Sequence, residues 1–115
     1  MNKEPAKKKI SVKTFFELLA KIENALYDVD YTNAFKKNVK LCYKRDLDLQ
    51  LLVNAIKFLV QNGFLPAQYK PHPLKMYNCM ECHISPDWLL LWIQNENDLI
   101  LLLTNTGTHS DLLKM

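Results

Sequence analysis

Three histidines and one aspartate are the side chains of this sequence whose types and spacing suit acid–base chemistry. His72, His83 and His109 all lie in the C-terminal half, and Asp87 follows His83 after a short turn. An unperturbed imidazole has a pKa of about 6.5, so it can accept a proton in one step and donate it in another. Each histidine lies in a loop or beside a predicted strand end, where catalytic groups are often held. The pattern therefore predicts a site that moves protons near neutral pH.

Cleavage of RNA is one reaction that such a set could perform without a metal. The 2′-hydroxyl must lose a proton to attack the adjacent phosphorus, and the leaving 5′-oxygen must gain one. Charge on the phosphate must be stabilised in the meantime. Structural roles stay open, because any one histidine could be an ordinary surface residue and Asp87 could begin a tight turn with Pro86.

The segment from Cys79 to His83 also matches the C-x-x-C-H pattern of covalent haem attachment. Haem attachment of that type occurs in exported proteins, and the N-terminal residues do not resemble an export signal. In a strand, moreover, Cys79 and Cys82 would point to opposite faces. One cysteine pair with one histidine also lacks the second ligand pair of a structural zinc site. We therefore expect no haem, no metal and no other cofactor.

The composition is that of one folded domain, with 49% hydrophobic and 23% charged residues in a chain of 115. The longest apolar runs are too short to cross a membrane. Three cysteines are too few for a disulfide framework, so we expect a cytoplasmic protein. The net charge of +3 is contributed entirely by residues 1–25. Net charge therefore does not argue for nucleic-acid binding, which only local clusters of basic residues can indicate.

Apolar periodicity predicts the elements that must position these residues. Periods of 3.6 predict helices over residues 11–25, 32–45 and 48–61, with Asn62 and Gly63 ending the third. A short strand is predicted at residues 26–29, and the prolines in residues 65–75 predict a loop that cannot join a central ladder. The alternation of apolar and polar residues at positions 80–84 predicts a strand with Glu81 and His83 on one face. Residues 88–93 and 99–104 read as interior strands joined by a polar turn.

Helices first and strands last indicate an α+β fold, in which helices cover one face of a small antiparallel sheet. The other face would stay free for a substrate.

Three motifs taken in order resemble the YafQ branch of the RelE family of mRNA interferases, over about residues 27–113. The motifs are His72-Pro73-Leu74, then Glu81-Cys82-His83-Ile84 with Pro86-Asp87-Trp88, and finally Thr106-Gly107-Thr108-His109-Ser110-Asp111-Leu112. The resemblance implies a small antiparallel sheet backed by two helices. It also implies a toxin of a type II toxin–antitoxin system that cleaves mRNA on the ribosome and is restrained by a tightly bound antitoxin.

Carried over by these motifs, the family's catalytic residues correspond to His72, His83, Asp87 and His109. We expect His109 to be the general acid, while His72, or His83 paired with Asp87, would act as base or hold the attacking ribose. Trp88 is expected to pack in the core. Some family members have an arginine where this chain has Asn105, and an aromatic residue where it has Leu113. The residues expected to contact RNA or its phosphates are Lys36, Lys37, Lys40, Lys75, Asn105 and Thr108.

Residues 1–25, a charged leader and an amphipathic helix, have no counterpart in the resemblance, and residues 26–115 form the expected toxin domain. The expected partners are a cognate antitoxin and mRNA on the ribosome, with no membrane. Two alternatives stay open. One is a toxin similar to the gyrase-inhibiting ParE proteins, which binds its target without cutting RNA, and the other is a catalytically weakened family member.

Overall fold

A layer of helices covers one face of a mixed sheet in this protein. The computed structural model describes residues 9–113. Within them the elements are α1 (Val12–Ala20), β1 (Asp28–Tyr31), α2 (Asn33–Lys44), α3 (Leu49–Asn62), β2 (His72–Leu74), β3 (Cys79–Ser85), β4 (Trp88–Asn95), β5 (Ile100–Gly107) and α4 (His109–Leu113). Short 3₁₀ turns lie at Ala67–Tyr69 and Lys75–Tyr77. The predicted α+β class is confirmed.

Local signals in the sequence determine where the long helices begin and end. Ser11, Thr32 and Asp48 each accept a hydrogen bond from a backbone N–H of the first helical turn that follows. Such caps satisfy donors that have no partner within the helix. Gly63 ends α3 with a φ of +81°, a conformation that glycine adopts at little cost.

The first helix and the first strand differ from their predicted bounds. α1 ends at Ala20, five residues before its predicted end, and Asn24 then turns the chain with a φ of +57°. Leu26, which was expected to begin the strand, donates its N–H to the carbonyl of Val60 in α3. Hydrogen bonding to β5 begins only near Asp28, so tertiary pairing rather than local alternation sets the position of β1.

The five strands described are ordered β1-β5-β4-β3-β2. The β1–β5 pair is parallel and the other three pairs are antiparallel, which corrects the expectation of a fully antiparallel sheet. The long connection through α2, α3 and the other strands permits the parallel pair. The proline-rich segment also contributes an unexpected strand, β2. It lies at the sheet edge, where Pro73 can be accommodated.

The two faces of the sheet have different surroundings. Cys82, Leu90 and Trp92 belong to the main core beneath the helices, whereas Leu89 and Leu91 form a smaller cluster with Leu112 of α4. Met80 and Ile84 pack against the main core. The prediction that Glu81 and His83 face away from these apolar residues is therefore confirmed by the alternation of β3. Among the described residues, no helix is long and apolar enough to cross a membrane.

The described part of the N-terminal segment packs on the rest of the chain. Phe15 of α1 is fully buried, and its ring centroid lies 6.2 Å from that of Phe35 in α2. Phe16 lies 4.8 Å from the ring of Tyr31 in β1. These contacts bury the apolar stripe that the sequence predicts for this helix.

Candidate active site

Three imidazole rings lie in a row, brought together by β2, β3 and α4. His72 begins β2 and is paired in register with Glu81 of β3, while His83 lies two residues further along β3. His109 begins α4. The ring centroids of His72 and His83 are 6.3 Å apart, and those of His83 and His109 are 5.8 Å apart. The structure therefore brings all three predicted histidines into one group.

Glu81 joins two of the histidines through one carboxylate oxygen. Its Oε1 lies 2.8 Å from Nε2 of His72 and 3.9 Å from Nε2 of His83. The side chain is only 4% exposed, and its Oε2 is buried without a hydrogen-bond partner among the described residues. A carboxylate so enclosed interacts strongly with a neighbouring cation, because little water screens it.

Both nitrogens of His72 face hydrogen-bond acceptors. Nδ1 lies 2.8 Å from the carbonyl oxygen of Lys70, and Nε2 contacts Glu81. A neutral imidazole has only one N–H to donate, whereas the doubly protonated ring can donate to both acceptors. The ring of His72 is therefore held at both of its nitrogens.

Asp87 bonds with His109 rather than with His83. Its Oδ1 accepts from Nδ1 of His109 at 2.9 Å and from the backbone N–H of the same residue at 3.3 Å. The hydrogen bond from the His109 side chain is the main cause that lowers the pKa of Asp87. This geometry corrects the suggested pairing of His83 with Asp87, because the turn after β3 directs Asp87 toward the start of α4.

The other nitrogen of His109, Nε2, has no hydrogen-bond partner within residues 9–113. The ring is thus held at Nδ1 and available at Nε2, an arrangement that suits proton exchange with a bound molecule.

Glu81 is the residue of this group that the sequence analysis did not place in the site. Its alternation with His83 was the available signal. The contact with His72, however, depends on the register between β2 and β3, and β2 was expected to be loop.

Three of the predicted RNA-binding residues have other contacts in the structure. The Oδ1 of Asn105 accepts from Asn38 at 2.6 Å and from the backbone of Thr106 at 3.0 Å. Thr108 caps α4, since its hydroxyl accepts from the backbone N–H of Asp111 at 3.1 Å. Lys75 lines a groove of about 580 Å³ with Leu74 and Cys79. Pro73, which follows His72 in β2, also lines this groove, so the groove extends to the residue next to that histidine.

Lys36, Lys37 and Lys40 are exposed on α2 and differ in direction. Arg45, at the end of this helix, contacts Asp111 in α4 and so marks the side nearest the histidines. Successive helical residues rotate by about 100°, which places Lys37 about 80° from Arg45 around the axis. Lys36 and Lys40 lie about 180° and 140° away. By this estimate Lys37 is closer in direction to Arg45 than Lys36 and Lys40 are.

Trp88 is 2% exposed, and its Nε1 donates to the hydroxyl of buried Thr106 at 2.9 Å. Its predicted place in the core is confirmed. Cys79 and Cys82 are free and lie in different apolar clusters. They therefore point to opposite faces, as the alternation of the strand predicts, which argues against their joint attachment of one haem.

Comparison with known proteins identifies the family. Residues 27–114 match the family described as "Bacterial toxin of type II toxin-antitoxin system, YafQ". The chain belongs to the YafQ toxin family. It is 38% identical over 88 residues to the mRNA interferase toxin YafQ of Escherichia coli strain B / BL21-DE3, a match covering 74% of this chain and 94% of that relative. The matched residues begin after α1, so α1 lies outside the part shared with the family.

Solved structures of YafQ proteins and related toxins resemble this chain in fold. A chain of the E. coli DinJ–YafQ toxin–antitoxin complex has a TM-score of 0.69 and 34% identity, covering 76% of this chain and 97% of that one. A metal-bound toxin from Helicobacter pylori has a TM-score of 0.70 and 33% identity, covering 75% and 98%. Among the residues described here, no group of three or more His, Cys, Asp or Glu side chains is arranged to hold a metal ion.

Proposed function

We propose that this YafQ-family toxin is an endoribonuclease that cleaves mRNA on the ribosome, without a metal, by attack of the 2′-hydroxyl on the adjacent phosphate. The observation that carries the proposal is the row of three imidazole rings with two carboxylates, Glu81 and Asp87, beside them. The names of its E. coli relatives, which are mRNA interferases, support the same reaction.

His109 is the general acid in this proposal. Asp87 accepts from Nδ1 and stabilises the charged ring, leaving the proton on Nε2 for the leaving group. As the bond between phosphorus and the 5′-oxygen breaks, its electron pair goes to that oxygen, which takes the Nε2 proton. The neutral imidazole that remains can later regain a proton from water.

His83 is the general base, because it lies between the other two rings and its Nε2 is 3.9 Å from Glu81. That distance is beyond a hydrogen bond, so the nitrogen can accept the 2′-hydroxyl proton. His72, whose ring nitrogens contact Lys70 and Glu81, lies beside His83 and helps to hold the row of rings at the phosphate.

Lysines supply further phosphate contacts in this proposal. Lys37 is nearest in direction to the site, while Lys36, Lys40 and Lys75 would contact nucleic acid farther along its path. Asn105 and Thr108 would contact RNA only through donor or acceptor atoms that are not already hydrogen-bonded within the protein.

The partners we propose are a cognate antitoxin, as in the E. coli toxin–antitoxin complex, and mRNA on ribosomes in the cytoplasm. Residues 26–115 would form the toxin domain, to which the segment 1–25 adds a helix that packs in cis. The exposed lysines of α2 are compatible with a ribosomal partner, since basic residues on a surface favour contact with RNA.

The test is a reconstituted translation reaction with purified protein, a translated message and the same message lacking its start codon. We expect breaks only in the translated message, at the same rate whether or not the toxin was dialysed against EDTA and then freed of the chelator before it was added. Breaks in both messages would contradict ribosome dependence, and loss of cleavage by the EDTA-treated toxin that added Zn²⁺ or Mn²⁺ restores would contradict metal independence. Intact messages with inhibited gyrase would overturn the nuclease proposal.

A further inference from the structure

Arg45, the residue that follows α2, holds the short helix that carries His109. Its Nη1 lies 2.5 Å from Oδ2 of Asp111, and its Nη2 lies 3.2 Å from Oδ1. Two parallel bonds of this kind use the planar fork of the guanidinium, which a lysine cannot reproduce.

Asp111 passes this restraint to the first turn of α4. Its Oδ2 also accepts from the backbone N–H of Thr108 at 3.0 Å, and its own N–H donates to the Thr108 hydroxyl at 3.1 Å. This reciprocal cap fixes the backbone immediately before His109. The turn is tight, since a Cβ on Gly107 would lie 3.0 Å from Oδ2 of Asp111.

α4 has only five residues, and an isolated helix of that length is unstable in water. Its described anchors are Leu112, which is buried against Leu89 and Leu91, and the two polar contacts made by Asp87 and Arg45. The Asp87 contact is made to His109 itself. The Arg45 contact is therefore the polar restraint that holds the helix without involving the imidazole.

We propose that Arg45 is a positioning residue of this site, which acts through Asp111 to hold the start of α4 so that Nε2 of His109 faces the scissile phosphate. The proposal rests on the proposed nuclease function. Arg45 touches no reacting atom in it. The hydrogen bond from Arg45 is the main cause that lowers the pKa of Asp111 to about 2, so the carboxylate is charged at any pH where the toxin acts.

The first test is single-turnover cleavage of ribosome-bound mRNA by Arg45→Met, Asp111→Asn and the double variant. A misplacement of about 1 Å can lower a rate by about 100-fold, so we expect Arg45→Met to lower the maximal rate by about 10- to 100-fold. The half-saturating toxin concentration should change by less than about twofold, because bound RNA is not contacted. Arg45→Lys should restore only part of the rate. Lys57→Met, a change of another exposed cation, is the matched control with the wild-type rate.

The double variant identifies the route of the effect. If Arg45 acts through Asp111, the double variant loses no more activity than the worse single variant. Losses that multiply would show that Arg45 acts in another way and would overturn the proposal, as would an unchanged rate in Arg45→Met.

The second test uses the free protein without RNA. Amide hydrogen exchange of Leu112, whose N–H donates to the Thr108 carbonyl at 3.1 Å, reports the order of α4. We expect Arg45→Met to accelerate this exchange at least about 10-fold while amides of β4 keep their wild-type rates. An unchanged exchange rate at Leu112 would overturn the proposal that Arg45 holds α4. If the wild-type protein cleaves no RNA but Arg45→Met accelerates exchange in α4, the nuclease function is wrong, whereas the role of Arg45 in holding α4 is retained.

Discussion

Two histidine–carboxylate pairs in this protein have nearly the same separation and very different surroundings. Nε2 of His72 lies 2.8 Å from Glu81, and Nδ1 of His109 lies 2.9 Å from Asp87. The Glu81 side chain is 4% exposed, whereas that of Asp87 is 70% exposed. Water and salt weaken an exposed pair far more than an enclosed one. The same chemical pair is therefore shielded from water in one place and open to it in the other.

The two pairs also differ in the surroundings of the second ring nitrogen of each histidine. In His72 it faces the Lys70 carbonyl, so neither nitrogen is available to a substrate without breaking a contact. In His109 it has no partner among the described residues. Separation alone thus does not indicate which histidine can exchange a proton, and the surroundings of both nitrogens must be considered.

The largest effect is expected from His109→Ala, which removes the available nitrogen. General acid catalysis contributes about 10²- to 10⁴-fold, so cleavage on the ribosome should fall by about 10³-fold and growth inhibition on expression should disappear. The fold and antitoxin binding should be retained, as checked by circular dichroism and co-purification. Ser110→Ala, at the exposed neighbouring position, is the control. Full toxicity of His109→Ala would remove His109 from its assigned role.

Glu81→Leu separates activity from stability in the enclosed pair. Cleavage should fall by about 10²-fold because His72 loses the contact that holds its ring beside His83. The free energy of unfolding should nevertheless rise by about 1 kcal/mol, since a buried carboxylate with one unpartnered oxygen is replaced by an apolar side chain and His72 can turn to water. Denaturant unfolding measures this change. A variant that is both active and less stable would contradict the assignment of a positioning role to Glu81.

Asp87→Asn tests the exposed pair, where the expected effect is smaller. The amide can still accept a hydrogen bond from His109 but lacks the charge that stabilises the imidazolium, so cleavage at pH 7 should fall by about 10-fold. The melting temperature should not change measurably, because exposed ion pairs contribute little to stability. Asp46→Asn, at an exposed turn, is the control. A large loss of stability in Asp87→Asn would show instead that this pair stabilises the fold.

The smallest effect is expected in acid, at the contact between Arg45 and Asp111 that holds α4. The pKa of Asp111 is lowered to about 2 from its ordinary value of 3.8, so its contribution to stability is complete above pH 4 and is lost as the pH falls toward 2. Melting temperatures measured from pH 5 to pH 2 should therefore fall less steeply in Asp111→Asn than in the wild type. Equal slopes would show that the carboxylate has no favourable contact to lose.

The sequence predicts most of the helices and strands, because apolar periods of 3.6 and 2 are local properties. It does not predict the parallel β1–β5 pair or the edge strand β2. Both depend on pairing between segments far apart in the chain, and the prolines around His72 conceal the strand.

In the candidate site, too, local features of the sequence are predictable and contacts between distant segments are not. Residue types and the family motifs single out His72, His83, Asp87 and His109. The pairing of His72 with Glu81 depends on the register between β2 and β3. The contact between Arg45 and Asp111 joins residues 66 positions apart, and no local pattern signals it.

The central claim is that imidazoles move the protons while the substrate's own 2′-hydroxyl attacks the phosphate. The most direct measurement uses a ribosome-bound mRNA with a single 2′-deoxynucleotide at the cleavage position, together with the unmodified message. We expect no break at the modified bond, and fragments of the unmodified message that end in a 2′,3′-cyclic phosphate and begin with a 5′-hydroxyl. Cleavage of the deoxy bond at the normal rate, or fragments that begin with a 5′-phosphate, would contradict it.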